Sequence, residues 1–565
     1  AKRLQQNKDS EIEAIESWRQ AVHRRKIVYC SRTHSQLQQV AKEMQTCIKA
    51  HPPASKVRKL KIVSLASRKE LCCNTSVQSE SLQAMNEACA DLSDRKAAGK
   101  PGCPFQSSHK IEYESLKFQL AEAENIMDIE ELNNAGRKNA LCPYYLSRQT
   151  AVDADVLLMP YQSVISKSTR DSLGIDLNDS VIIFDEGHNI LDAFLDIGTQ
   201  ELAYKDVRTF CLLLDMYIRR FERRLKATSF LAVKKLQKCA KFIMQWMDEK
   251  SESGKCNIVA SAETFAFETK LDNMNMNEVV EFAKRTRIAQ KLRGMARKIS
   301  QEKERDEAKL KSTDQTINNS VKNPFHAFIG FIGAMVEVSS GYKLLFTESN
   351  GEGCLRLVRA SVGDAFASLL DDAKSVIISG GTLTPVNDLK VRLLPKNIAD
   401  TSTLFIQCPH VIDDAGFLCL AVPSGPTGMQ LNFKYKNRSV QLQQECGRAI
   451  LNFSRLIPDG IVVFFPSFKY LETCLSQWKE SDVMSAMEVK KAIFIESSPS
   501  LQFPPSLKRY QSKSVGDLIA KYTLAITSKR GAILFAVAGA KLSEGVNFRD
   551  GLARGVIVVG LPFPS

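Results

Sequence analysis

Val181-Ile182-Ile183-Phe184-Asp185-Glu186-Gly187-His188-Asn189 joins a short apolar strand to two adjacent carboxylates, and its reading decides the fold. A strand ending in such a pair is how nucleotide hydrolases hold magnesium and activate water. In that template Asp185 holds Mg²⁺, Glu186 orients or deprotonates the attacking water, and His188 couples the site to whatever moves. A buried strand followed by a solvated acidic turn is the plainer alternative, since Asp-Glu pairs are common after strands. The order Asp-Glu-x-His tells against it.

Outward from this stretch the pattern alternates. Residues 8–25 are expected to be helical and to lead into a strand over Lys26–Cys30, then the polar turn Ser31-Arg32-Thr33-His34-Ser35-Gln36 and a further helix. Further strands are expected over Leu60–Leu65 and Ala154–Met159. Strand, turn and helix in succession predict an α/β fold with parallel sheets and functional loops at the strand C-termini. From about residue 200 to 345 the spacing turns mostly helical, as in Ala232–Lys250, which predicts an inserted helical domain. Residues 297–322 are polar and highly charged, and read as a mobile loop or loosely held helix. Strand character returns at Ser375–Ser379, just before Gly380-Gly381-Thr382-Leu383-Thr384-Pro385. A third parallel unit is announced by Gly460–Phe465, Gly531–Ala538 and Gly555–Gly560.

Composition narrows the class. With 565 residues and 44% apolar content, the chain exceeds one hydrophobic core and should form several domains. No apolar run approaches the roughly 18 to 20 residues of a membrane span. The start, Ala1-Lys2-Arg3-Leu4-Gln5-Gln6, lacks the apolar core of a signal peptide, so neither a membrane partner nor secretion is expected. The 77 basic against 63 acidic residues, a net +14, suit a polyanionic partner such as nucleic acid. Fifteen cysteines are too few for a disulfide scaffold and enough for a cofactor site. Cys211, Cys239, Cys354, Cys419, Cys446 and Cys474 read as small core residues.

Taken in order, Ser31–Gln36, Asp185–His188, Gly380–Pro385, Val462-Val463-Phe464-Phe465-Pro466-Ser467 and Lys541-Leu542-Ser543-Glu544-Gly545-Val546-Asn547-Phe548 resemble the motifs of the XPD-like iron–sulfur helicases. Within that family the Gly-Gly-Thr form and the Glu-Gly-Val-Asn-Phe ending look most like the ChlR or Chl type of sister-chromatid cohesion. The resemblance implies two RecA-like motor domains, an iron–sulfur domain and a helical arch domain. On this chain it implies motor domain 1 over residues 1–65, 149–200 and 371–405, the iron–sulfur domain over 66–148, the arch over 201–370 and motor domain 2 over 406–565. It implies ATP-driven 5′ to 3′ translocation on single-stranded DNA, unwinding of forked or structured DNA, cohesion and replication-fork partners, and a nuclear location.

Site residues follow from the same resemblance. Cys72, Cys89, Cys103 and Cys142 match the family's ligands for a [4Fe–4S] cluster, and Cys73 beside Cys72 is the alternative register. Zinc is the rival metal, although its structural sites usually draw on close Cys-x-x-Cys pairs, which this region lacks. Arg32, Thr33, His34 and Gln36 would grip the DNA backbone without reading sequence, and a salt bridge pinning the loop is the plain alternative for Arg32. Thr382 and Thr384 would relay nucleotide state to the DNA grip. Glu544, Gly545 and Asn547 would join Asp185 and Glu186 at ATP and Mg²⁺. Arg219, Arg220, Arg223, Arg224 and Lys226 would either track DNA or form a solvated face.

The sequence departs from the family in two places. It holds no Gly-x-x-x-x-Gly-Lys-Ser/Thr phosphate loop, which the family places before Lys26, and no arginine-rich motif after its last strand. The expectation is a helicase sequence that is incomplete at both ends; the competing reading is a catalytically inactive DNA-binding or cohesion scaffold. Gln444-Glu445-Cys446-Gly447-Arg448-Ala449-Ile450 imitates the arginine motif but reads as an ordinary helix. Gly187 stands where the family usually has Ala, and is expected to add backbone freedom.

Overall fold

The computed structural model describes residues 26–50, 60–78, 82–106, 116–117, 126–253, 257–289, 291–292, 294–295, 324–336, 342–349, 352–395, 398, 402–409, 412–497, 504, 507–512, 514–540, 542–543, 546 and 548–561. The chain forms two compact units, Ala1–Thr403 and Leu404–Ser565. The helix expected over residues 8–25 and the charged segment 297–322 lie outside the described residues.

In the first unit β1 (Ile27–Ser31), β2 (Ile62–Ser64), β3 (Val156–Pro160), β4 (Val181–Phe184) and β9 (Ser375–Ile378) form a sheet in the order β2-β3-β1-β4-β9. Every pairing is parallel. Side chains that alternate along a strand fall to opposite faces, and the sheet shows this directly. Leu157, Met159, Val28, Cys30, Ile182 and Phe184 pack on one face with Phe194 and Phe366. Val156, Leu158 and Ile62 pack on the other with Leu37 and Ala41 of the helix His34–Ala50.

The region expected to be mostly helical also holds a sheet. β5 (Gln200–Ala203), β6 (Ile258–Ser261), β7 (Tyr342–Ser349) and β8 (Glu352–Arg359) pair antiparallel in the order β5-β8-β7-β6. Leu344, Phe346, Leu355 and Leu357 turn one face of it against the helices Tyr204–Phe221, Ala227–Glu252 and Pro324–Val336, where Phe210 stacks on Phe328.

The second unit is built on β10 (Gly460–Phe465), β11 (Ala492–Ile495), β12 (Ala532–Val537) and β13 (Gly555–Val558), parallel in the order β11-β12-β10-β13. Ile461, Val463, Phe465 and Phe535 face Trp478, while Val462, Leu534 and Ala536 face Tyr522. Gln444–Ile450 lies within the helix Val440–Leu456, as read from the sequence. Cys211, Cys239, Cys446 and Cys474 are buried; Cys354 is half-buried, and Cys419 is exposed instead of belonging to a core. Among the described residues no helix is long and apolar enough to cross a membrane.

Candidate active site

Parallel register gathers the site. Cys30 pairs with Phe184, and Phe184 with Ile378, so the loops after β1, β4 and β9 leave the same sheet edge side by side. The polar turn from Ser31, the Asp185–Asn189 segment and the Gly380–Thr384 loop therefore meet, although they are far apart in sequence. The backbone ties them: Asp185 N–H donates to Cys30 O at 2.9 Å, Ser379 N–H to Phe184 O at 2.8 Å and Gly187 N–H to Ser379 O at 2.7 Å.

Glu186 takes the left-handed conformation, with φ 55° and ψ 47°. This turns the chain sharply at the strand end and leaves the Glu186 side chain 41% exposed. Gly187, by contrast, does not have a positive φ. A Cβ there would lie 2.1 Å from Ile378 Cγ2, so glycine is required for space against β9 and not for backbone freedom. That corrects the sequence-based expectation. The close approach of the two strand-end loops is what a side chain would block.

A run of hydrogen bonds crosses the three loops. Arg32 Nη1 donates to Asn189 Oδ1 at 3.1 Å, and Asn189 Nδ2 lies 2.8 Å from His188 Nε2. His188 Nδ1 stands 3.3 Å from Glu186 Oε2 and 3.4 Å from Thr382 Oγ1. If Asn189 donates to Nε2, the neutral ring carries its proton on Nδ1 and donates toward Glu186 or Thr382. Thr384 is exposed beyond this run. Asn189 was not singled out in the sequence; its position directly after the Asp-Glu-x-His motif was the available signal.

The turn at Ser31–Gln36 is organised from within. Gln36 Oε1 accepts from Ser31 Oγ at 2.6 Å, Thr33 N–H at 3.2 Å and Thr33 Oγ1 at 3.1 Å. Arg32 and Ser35 are its exposed members. The His34 side chain is half-buried, and its buried Nδ1 has no hydrogen-bond partner. Burial lowers its pKa against a smaller opposing influence of Glu70.

Two tyrosines stand behind the carboxylates. Burial first, and then a hydrogen bond to Asp185, holds the Tyr29 hydroxyl protonated far above its ordinary range. Burial and the Asp185 charge do the same for Tyr161, whose hydroxyl donates to Asp185 O and whose ring meets Phe184 edge-on. Both are donors that fix the strand end. Among the described residues no three His, Cys, Asp or Glu side chains close on a single metal ion. Magnesium does not need such a set, because it usually keeps several waters and takes one or two carboxylates plus phosphate oxygens.

Cys72, Cys89, Cys103 and Cys142 line one cavity, together with Cys73, Asn74, Phe105, Gln106 and Tyr145. Each comes from a different element. Cys72 ends the helix Arg68–Leu71, Cys89 lies on Leu82–Ala97, Cys103 sits in the following loop, and Cys142 caps Pro143–Ala151. The helix Ile129–Lys138 starts in a reciprocal capping box between Asp128 and Glu131. Its Gly136 lets Pro143 approach so closely that a Cβ would meet Pro143 Cγ at 2.6 Å, which sets the position of Cys142.

Burial raises the Cys72 thiol, and pushes Cys142 up to about 11 against backbone hydrogen bonds from Tyr145 and Tyr144. Asn74 Nδ2 donates to Cys103 Sγ at 3.4 Å. Cys73 is turned toward Asn133, with its Sγ 3.3 Å from Oδ1. A polynuclear cluster spaces its thiolates around a body larger than one ion, so a shared cavity without a single-ion set is compatible with such a group.

Glu544, Gly545 and Asn547 lie outside the described residues. Arg219, Arg220, Arg223, Arg224 and Lys226 are exposed where Tyr204–Phe221 ends.

The DEAD_2 family profile matches residues 29–207, and the helicase C-terminal domain profile matches residues 450–565. The chain belongs to the XPD-like helicase family. It is 30% identical over 546 residues to the ATP-dependent DNA helicase CHL1 of Kluyveromyces lactis, covering 96% of this chain and 62% of that protein. To the ATP-dependent DNA helicase DDX11 of Danio rerio it is 29% identical over 594 residues, covering 96% and 65%. The chain thus spans less than two thirds of either relative. A solved XPD helicase structure aligns with a TM-score of 0.44 at 16% identity, covering 96% of this chain and 78% of its own.

Proposed function

We propose that this chain forms the motor of an ATP-dependent DNA helicase that moves 5′ to 3′ and unwinds forked or structured DNA in replication, repair and sister-chromatid cohesion. The observation that carries the reading is the hydrogen-bonded path from exposed Arg32 through Asn189 and His188 to Thr382, with Glu186 Oε2 3.3 Å from His188 Nδ1 beside it. A plain acidic turn after a strand has no use for such a path. A motor does, because it must make hydrolysis depend on what its DNA loop holds. The names of the relatives support the same activity; the cohesion role, the fork partners and a nuclear location rest on the motif resemblance and are part of the proposal.

Within this reading Asp185 holds Mg²⁺ on the nucleotide, and Glu186 takes a proton from the attacking water. His188 senses Thr382, Arg32 grips a DNA phosphate, Thr33 and Gln36 shape the grip, and His34 anchors it from below. Thr384 extends the relay, and Glu544, Gly545 and Asn547 complete the nucleotide contacts. Residues 1–65, 149–200 and 371–405 form the first motor domain, 66–148 the iron–sulfur domain, 201–370 the arch and 406–565 the second motor domain.

Cys72, Cys89, Cys103 and Cys142 would hold a [4Fe–4S] cluster, whose iron supplies the positive charge that lets four thiolates share a partly buried cavity. Held together there, four separate elements would become one stiff unit.

The test is Glu186→Gln in the full-length protein. ATP binding should persist, while turnover falls by about 10²- to 10⁴-fold, the usual worth of a positioned general base. Retained turnover removes Glu186 from the chemistry. DNA binding by the unaltered protein that ignores ATP would instead identify a catalytically inactive scaffold.

A further inference from the structure

The second unit contains a buried acid with an assignable task. Glu496 follows β11 and is only 2% exposed. Its Oε2 accepts Val537 N–H at 3.0 Å and its Oε1 accepts Leu542 N–H at 3.1 Å. Its own N–H extends the β11–β12 ladder by donating to Phe535 O at 2.9 Å. One carboxylate therefore bridges the last residue of β12 and the far side of the turn that follows.

That turn is tight. Gly539 has φ +76°, Ala540 N–H donates to Val537 O at 3.1 Å, and Ser543 N–H donates to Ala540 O at 3.0 Å. Amides gathered at a tight turn form an anion site, and here the anion is supplied by the protein's own side chain. Burying a carboxylate is expensive unless such charge-assisted bonds compensate it. A turn that needed only packing would have used an apolar residue. The two N–H groups meet separate oxygens, and a carboxamide in the same pose would set its NH₂ against one of these donors.

We infer that Glu496 is a positioning residue. It ties Val537 to Leu542 and so holds the turn that directly precedes Glu544, Gly545 and Asn547 in sequence, an inference that rests on the helicase reading that gives those three residues a nucleotide role.

The experiment compares wild-type, Glu496→Gln and Glu496→Asp in the full-length protein by hydrogen exchange and by DNA-stimulated ATP hydrolysis. In Glu496→Gln, exchange across residues 537–543 should quicken by about tenfold while the β10 segment 461–465 stays protected, the mark of a local opening. The kcat should fall by about 10- to 100-fold, as a small misplacement of a catalytic element costs, with KM for ATP changing by less than about threefold. Glu496→Asp keeps both oxygens and should recover part of kcat. Unchanged exchange over 537–543, an undiminished kcat, or exchange rising equally in 461–465 would overturn the inference, the last by making Glu496 a general structural residue. Absence of ATP hydrolysis in the wild type would defeat the helicase reading alone, because the exchange comparison would still decide whether Glu496 holds the turn.

Discussion

The carboxamide of Asn189 lies 2.8 Å from His188 Nε2 and accepts from Arg32 at 3.1 Å, so one residue joins the outer loop of β1 to the acidic turn of β4. Its removal should separate DNA contact from hydrolysis. A single hydrogen bond contributes about 1 kcal/mol and a bond to a charged group about 1.5 to 3. Asn189→Ala should therefore lower the DNA-stimulated rate by about tenfold. Arg32→Ala should do the same, and the double variant should be little worse, since residues in one network are not additive. A double variant showing the full product of the two losses would mean that Arg32 and Asn189 act separately.

Gly187 gives a second prediction, on stability. A methyl at this position meets Ile378 Cγ2 at 2.1 Å, and that carbon belongs to a β-branched side chain fixed on a strand. Gly187→Ala should destabilise the protein by about 1 to 3 kcal/mol, the usual cost of overpacking. Ile378→Ala should recover part of that loss in the double variant while costing stability by itself. Chemical unfolding of the four proteins forms the cycle, and strict additivity would show that the two residues do not press on one another.

Most strands of the parallel sheets could be read from the sequence because they are apolar runs ended by polar or glycine-rich turns, as Val181–Phe184 and Gly460–Phe465 are, whereas β11 was not. The antiparallel sheet was missed. Its hairpin has a local signal, since Asn350-Gly351 separates two alternating runs, but the helical spacing of the surrounding residues dominated the reading. The four cavity cysteines could be named from the family pattern, yet nothing in their spacing said that they would line one cavity with Cys73 as a fifth. The Asp185-Glu186 pair was visible as chemistry. Asn189 and Glu496 were not, because their tasks exist only once parallel register has brought distant loops together.

Two thiols that are adjacent in sequence both line the cavity but have different partners. Cys72 faces the shared space near Asn74, while Cys73 is engaged by Asn133. Cys72→Ser, Cys89→Ser, Cys103→Ser and Cys142→Ser should each lower bound iron and the visible absorption of the purified protein. Cys73→Ser should leave both close to the wild type. Iron lost from Cys73→Ser but kept in Cys72→Ser would move that ligand by one residue, and zinc in place of iron in the wild type would replace the cluster by a different metal site.

His34 carries a prediction in pH. Burial lowers its folded pKa below the ordinary 6.5, so the unfolded chain binds the proton first as pH falls. Its contribution to stability is complete above about 6.5 and diminishes as pH falls from there toward the depressed folded value. A folded chain that protonates this ring must bury a charge beneath the Ser31–Gln36 turn, where Nδ1 has no partner. The unfolding midpoint should therefore drop between pH 7.5 and about 5.5, and His34→Leu should flatten that slope. An unchanged slope in His34→Leu would place the responsible proton elsewhere and leave His34 as packing alone.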